Sequence, residues 1–349
     1  MGQKPFKSRI LARKIKGLIW NLAYTSGLLT FLERVRINPD YKGMIFYYHR
    51  VHPEPGWDPV GLNILPNLFR RQMMVLKKKS YFLSLSDFFS YLHEPLSIHK
   101  IPPAVITFDD GYQDVVQYAR PIMEDLTIPS ALFICTDPVL KGIPLDWDLL
   151  TLAAQMEARK EIPVQNVFTS ERVYPLRTVT EKEHFVLELN QSLLGMEEAR
   201  RRNTLMELFG PFLKEKAAKL KGLYLTSGQI KECLKNRMEI GSHTASHPYL
   251  SEIPPEELER EVSGSKENLE SLLNREVAFF SYPAGRFDKK VVEAVRQAGY
   301  QGALATGRRA VSRLDQDPFR VPRISPEGIM TEGKFFAQVS GIRPDWFKS

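Results

Sequence analysis

Thr107-Phe108-Asp109-Asp110-Gly111 sets two carboxylates side by side after the apolar run Ala104-Val105-Ile106. Adjacent anions repel, and the conflict is resolved when one holds a metal ion and the other handles a proton. Asp-Asp-Gly is also ordinary turn chemistry, so this motif alone fits a plain turn as well. His243-Thr244-Ala245-Ser246-His247 places two imidazoles four positions apart, within reach of each other on one helical turn or a compact loop. A single such pair often arises by accident. Joined with Asp110, however, it makes a two-histidine, one-carboxylate set that leaves positions open on a divalent ion for water and substrate.

The segments that must position these groups alternate between strand and helix. Gly43 to His49 reads as a buried strand, Pro66 to Lys79 as a helix, and Tyr81 to Ser84 as the start of a strand, with Ser86 capping the next helix. Ala104 to Phe108 and Ser130 to Cys135 read as further strands. From about residue 140 to 225 the rhythm gives way to a long, charged, mostly helical stretch, read as an insertion. It resumes with a helix at Ser227 to Leu234, a strand at Met238 to Gly241 and a helix opened by Pro254-Pro255. A strand at Val277 to Ser281, a helix at Lys289 to Ala298, a strand at Gly302 to Ala305 and an edge segment around Phe319 to Ile324 follow. Such alternation predicts a largely parallel sheet or barrel, and both motifs then fall at strand C-terminal ends, where active sites collect.

On these two motifs the chain resembles the polysaccharide deacetylase family, carbohydrate esterase family four. Its hallmarks are Thr-Phe-Asp-Asp-Gly and His-[Ser/Thr]-x-x-His, and the likeness runs from about residue 41 to 325 outside the insertion. The resemblance implies a distorted (β/α)7 barrel and a divalent metal, usually zinc, on Asp110, His243 and His247. It further implies Asp109 as general base and the backbone N–H of Tyr112 as an oxyanion donor. Two departures need candidates. Many members carry a late Leu-x-His acid that is missing here. His49, in Phe46-Tyr47-Tyr48-His49-Arg50, resembles the early Tyr-His of a circularly permuted subgroup that includes exopolysaccharide N-deacetylases. It is taken as the acid, with a structural role in a core turn as the other reading. Many members also carry an Arg-Pro-Pro-Tyr type sequence whose arginine tethers the base, where this chain has Phe280-Ser281-Tyr282-Pro283. Ser281 cannot do that. Arg323 is the candidate tether, since a neighbouring guanidinium keeps a carboxylate ionised, and Arg286 is its rival. Tyr282 and Pro283 are expected to line the acyl pocket, and Trp147 or Tyr249 to stack on a sugar, with ordinary packing as the alternative.

Composition bounds the rest. The 349 residues are 43% hydrophobic and 26% charged, which excludes a disordered chain and allows one large catalytic domain. The net charge of +7 suits an anionic surface or an acidic glycan, and no nucleic-acid reader motif accompanies it. Residues 1–40 are expected to form a basic amphipathic helix, packed on the domain or lying on a membrane, and residues 41–349 the catalytic domain. Lys4, Lys7, Arg9, Arg13, Lys14 and Lys16 precede any acidic residue, which favours a membrane surface over a nucleic-acid groove, with a plain solvated face as the other reading. Cytoplasmic work near the inner face of the membrane is expected, with secretion left open. Cys135 and Cys233 form no short-spaced framework, and Cys135 reads as a buried thiol. His52, His93, His99 and His184 are read as surface residues without partners. The expected activity is hydrolysis of an acetamido group on a glycan or lipid-linked sugar, in polysaccharide or cell-envelope biosynthesis or modification. The alternatives are an acetyl-ester or non-sugar amide hydrolase on the same barrel, or a catalytically idle glycan-binding protein.

Overall fold

The computed structural model describes residues 21–23, 25–26, 41–93 and 102–339, apart from 55, 166, 168–170, 217–219, 221, 236, 308–309, 313–314, 316 and 327–330. Most of the expected N-terminal helix, including its basic residues, and His99 lie outside the described residues. Within that segment Asn21 accepts the backbone N–H of Gly333 at 2.9 Å, and Ala23 packs on the main core.

Seven parallel strands close on themselves: β1 (Tyr41–Tyr48), β2 (Pro103–Phe108), β3 (Ser130–Ile134), β4 (Met238–Ser242), β5 (Phe279–Ser281), β6 (Gly302–Gly307) and β7 (Val321–Ile324). Closure comes from β1, which pairs with β2 from Met44↔Ala104 to Tyr48↔Phe108 and with β7 at Phe46↔Ile324. This is the (β/α)7 barrel that the family resemblance implied. Tyr81–Phe82 adds to the outside of β2, and Val311–Ser312 runs antiparallel to β1.

Because successive strand residues face opposite sides, the apolar runs split into two sets. Ile45, Val105, Ala131, Phe133, Phe279, Leu304 and Val321 point inward, and Leu85, Phe88 and Phe89 join them from the helix Leu85–His93. Met44, Phe46, Ala104, Ile106, Leu132, Phe280 and Ala303 point outward against the helical layer, which supplies Phe69, Met73, Leu76, Val291 and Val295. Strands buried on both faces are mainly apolar, and β2, β3 and β7 carry no exposed position, their few polar members such as Thr107 and Arg323 being buried as well.

Two expectations need correction. The segment expected at an edge, Phe319 to Ile324, contains β7, an interior strand between β6 and β1. The helix after Phe82 is capped by Ser84, whose Oγ accepts the N–H of Asp87 at 3.1 Å, whereas Ser86 spends its hydroxyl on Glu239 at 2.6 Å. The insertion between β3 and β4 is mostly helical, as expected, and also holds two strands. Helices Asp146–Met156, Val179–Leu193 and Glu198–Lys216 are accompanied by an antiparallel pair, Glu161–Val164 with Arg172–Pro175. Together they bury a cluster of their own around Leu150, Ile162, Phe185, Leu189 and Phe209.

Candidate active site

The chain leaves β2 through a turn that only a few residue types tolerate. Asp110 and Gly111 take φ of 74° and 84°, in the left-handed region where aspartate and glycine meet the smallest penalty. This turn aims the Asp110 carboxylate across the barrel mouth. The loop after β4 is bent the same way, with φ of 74° at Thr244 and 62° at His247. For a β-branched residue that conformation is costly, and such strain persists only where surrounding contacts impose it. Those contacts are present. Glu261, fully buried, accepts the N–H groups of Ala245 and Ser246 at 2.8 and 2.9 Å and the Ser246 hydroxyl at 2.8 Å. Arg201, buried on an insertion helix and paired with Asp146, donates to the same hydroxyl at 2.9 Å.

The result is a convergence of lone pairs. Candidate ligand atoms of Asp110, His243 and His247 lie within 4.8 Å of one another, with His243 Nε2 and His247 Nε2 at 3.6 and 3.9 Å from Asp110 Oδ1. The Ser281 carbonyl accepts from His243 Nδ1 at 2.7 Å, so the ring proton sits there and Nε2 faces Asp110 unprotonated. Among the described residues neither Asp110 oxygen has a hydrogen-bond donor, although both are buried. Burial, reinforced by the charge of Asp109, pushes the Asp110 carboxyl well above the usual carboxylate range, and burial pushes both imidazoles below their usual value. An undonated buried carboxylate facing neutral imidazole nitrogens is costly alone and fits a divalent cation.

Asp109 has a different environment. Arg323, inward-facing on β7 and 1% exposed, grips it with two bonds, Nη1 to Oδ1 at 2.8 Å and Nη2 to Oδ2 at 2.7 Å. Burial, the largest single influence, would raise this carboxyl, but the charge and hydrogen bonds of Arg323 together with His243 and His49 outweigh it and hold the pKa down to about 2. The guanidinium is itself fixed by acceptors on either side, Thr107 Oγ1 at 3.1 Å and Ser281 Oγ at 2.7 Å, between the rings of Tyr47 and Phe133. Arg286, the rival, bonds Glu252 at 2.9 Å and lies over Tyr249.

His49 follows β1 closely enough for the charges of Asp109, His243 and Arg323 to bear on it, and burial brings its pKa down to about 4. Tyr112 follows Gly111, and its backbone N–H meets no acceptor among the described residues. Its phenol is buried, stacked on Tyr224 at 5.2 Å, and takes the indole N–H of Trp147 at 2.8 Å. Trp147 stands edge-on to His247 at 4.6 Å. Tyr249 shares this aromatic cluster.

Strand parity separates Tyr282 from the group. Ser281 faces inward, so Tyr282 turns outward, packs near Phe280 and Phe287, and donates its hydroxyl to the Phe319 carbonyl at 3.1 Å. Its ring is part of the core, and the buried Pro283 opens a short turn beside it. His52 and His184, expected to lack partners, have them: His52 Nδ1 meets the Glu54 backbone, and His184 pairs with Glu188 at 3.2 Å. Cys135 is a buried thiol that donates to the His243 carbonyl at 3.2 Å.

Sequence reasoning set Ser281 aside and passed over Thr107, Ser246, Glu261, Arg201 and Asp148. Thr107 and Ser246 lie inside the quoted motifs and were visible as polar positions. Glu261 and Arg201 carry no local signal.

The family model for polysaccharide deacetylase matches residues 210–303, which include His243, His247 and Ser281. A Bacillus subtilis protein named for the polysaccharide deacetylases, YxkH, is 28% identical over 120 residues, covering 34% of this chain and 43% of that protein. A Bacillus cereus peptidoglycan-N-acetylglucosamine deacetylase is 35% identical over 75 residues, 22% of this chain and 35% of its own length. The matches thus span less than half of these relatives. Among solved structures, the Streptococcus pyogenes deacetylase PplD in complex with acetate has a TM-score of 0.56 at 18% identity, covering 86% of this chain and 99% of that one. At that identity the likeness concerns the fold.

Proposed function

We propose that the chain, whose residues 210–303 match the family model for polysaccharide deacetylase, hydrolyses an acetamido group on a glycan or lipid-linked sugar, releasing acetate. The observation that carries the reading is the pairing of unlike carboxylates, one gripped by Arg323 and one without a donor in front of two imidazoles.

Asp110, His243 and His247 would hold a divalent ion, zinc by the chemistry of the donor set. When bound, it supplies Lewis acidity toward a water and toward the acyl oxygen. Asp109, kept ionised by Arg323, accepts the proton that the attacking water loses. The Tyr112 N–H donates to the oxygen that gains charge. The leaving nitrogen needs a proton, and His49, neutral in its resting state, takes up the one that Asp109 accepted from the water and passes it to that nitrogen. Trp147 forms a wall beside His247. Work on polysaccharide or envelope precursors at an anionic membrane face is part of the same proposal, resting on the basic residues from Lys4 to Lys16.

The test is acetate release from N-acetylglucosamine oligomers by zinc-loaded protein and by Asp109→Asn, with metal content measured in both. A drop of roughly 10²- to 10⁴-fold with metal retained is expected for removal of a general base. Turnover of acetylated xylan or simple amides in place of these oligomers would favour the ester or amide alternative. A metal-loaded protein that releases acetate from none of them would be a binding protein.

A further inference from the structure

This mechanism leaves one carboxylate at the site unused. Asp148 lies in the first turn of the helix Asp146–Met156, next to Trp147, and is only half-buried. Its Oδ2 accepts the hydroxyls of both Tyr112, at 2.9 Å, and Tyr224. Tyr112 Oη takes the indole proton of Trp147 and Tyr224 Oη takes the N–H of Leu145 at 3.0 Å, so each phenol has its own proton committed to Asp148. Oδ1 receives no donor from the described residues and is not sealed in the core. Two phenols on one oxygen fix the direction in which the other looks. The neighbouring Trp147 borders His247, and the charge of Asp148 is felt at Asp110.

We propose that Asp148 Oδ1 accepts a hydrogen bond from the pyranose hydroxyl next to the acetamido-bearing carbon, so that Asp148 recognises the sugar and not the acyl group. The inference rests on the deacetylase reading and names what selects its substrate. A half-buried carboxylate already satisfied on one oxygen discriminates well, because a substrate without the hydroxyl leaves it unpaired after desolvation. The insertion then has a role in specificity, since its first helix brings Asp148 to the barrel mouth.

The experiment compares wild type with Asp148→Asn on three substrates: an N-acetylglucosamine trimer, the same trimer lacking the 3-hydroxyl on each sugar, and an aryl acetate. In the variant the phenols hold the amide oxygen, and the outward group becomes a donor. The ratio of kcat/KM for the trimer to that for the aryl acetate should fall about 10- to 100-fold, mostly through KM, as expected for a hydrogen bond to a charged group. The two proteins should no longer differ on the deoxy trimer. An unchanged ratio, or an equal loss on the deoxy trimer, overturns the inference while the deacetylase reading stands. A wild type that cleaves the aryl acetate but no trimer overturns both.

Discussion

The barrel mouth and the insertion use buried side chains in opposite ways. At the mouth the buried groups are charged or polar: Asp109, Asp110, His243, Glu261, Ser281 and Arg323 are all 2% exposed or less. Each gains its tolerance from a particular partner, or in Asp110 lacks one. The insertion buries Leu150, Ile162, Val164, Phe185, Val186 and Leu189, which need only apolar neighbours. The mouth is therefore specified by direction and charge, and the insertion by volume. Their junction is itself buried and polar, where Arg201 joins Asp146 of the first insertion helix to Ser246 of the histidine loop.

This contrast breaks most sharply at Arg323. Arg323→Met strands the Asp109 carboxylate in the barrel, and removing one partner of a buried pair costs about 3–5 kcal/mol. Urea unfolding should show that loss, and Arg323→Met/Asp109→Asn should recover part of the stability but none of the activity. Recovery of activity would mean that Asp109 has another role. In the insertion, Phe185→Ala should cost about 3–5 kcal/mol by cavity formation, yet leave aryl acetate turnover per folded molecule close to wild type. A loss of turnover without a loss of stability would erase the distinction between the two regions. The smallest effect concerns pH. His49 falls from the usual 6.5 to about 4 on folding, so between those values the unfolded chain binds more protons and wild-type stability falls as pH falls. His49→Gln lacks that dependence, and its stability relative to wild type should improve from pH 7 to pH 5. Parallel urea midpoints at both pH values would show that His49 titrates alike folded and unfolded.

The same contrast explains what could be read from the chain. Asp110 and the His243–His247 pair are short-range patterns, and strand ends place them together with little further information. Arg323 required the closed barrel, because β7 reaches Asp109 only across the interior and an edge strand would not have placed it there. Ser281 was set aside as unable to tether the base, but its hydroxyl holds the arginine that does grip Asp109, and its carbonyl fixes His243. Tyr282 was one step of parity away from the interior. The strands at Glu161–Val164 and Arg172–Pro175 do alternate between exposed and buried positions at Ile162, Val164 and Tyr174. Pro163 and the charged ends masked that period among helical neighbours.

The most direct test is to strip the protein of metal, measure acetate release from N-acetylglucosamine oligomers, and repeat after adding zinc, with His243→Ala alongside. Zinc should bind at one ion per chain and restore acetate release in the wild type, and His243→Ala should do neither. Acetate release by the stripped protein, or a zinc-loaded wild type that releases none, would contradict the account.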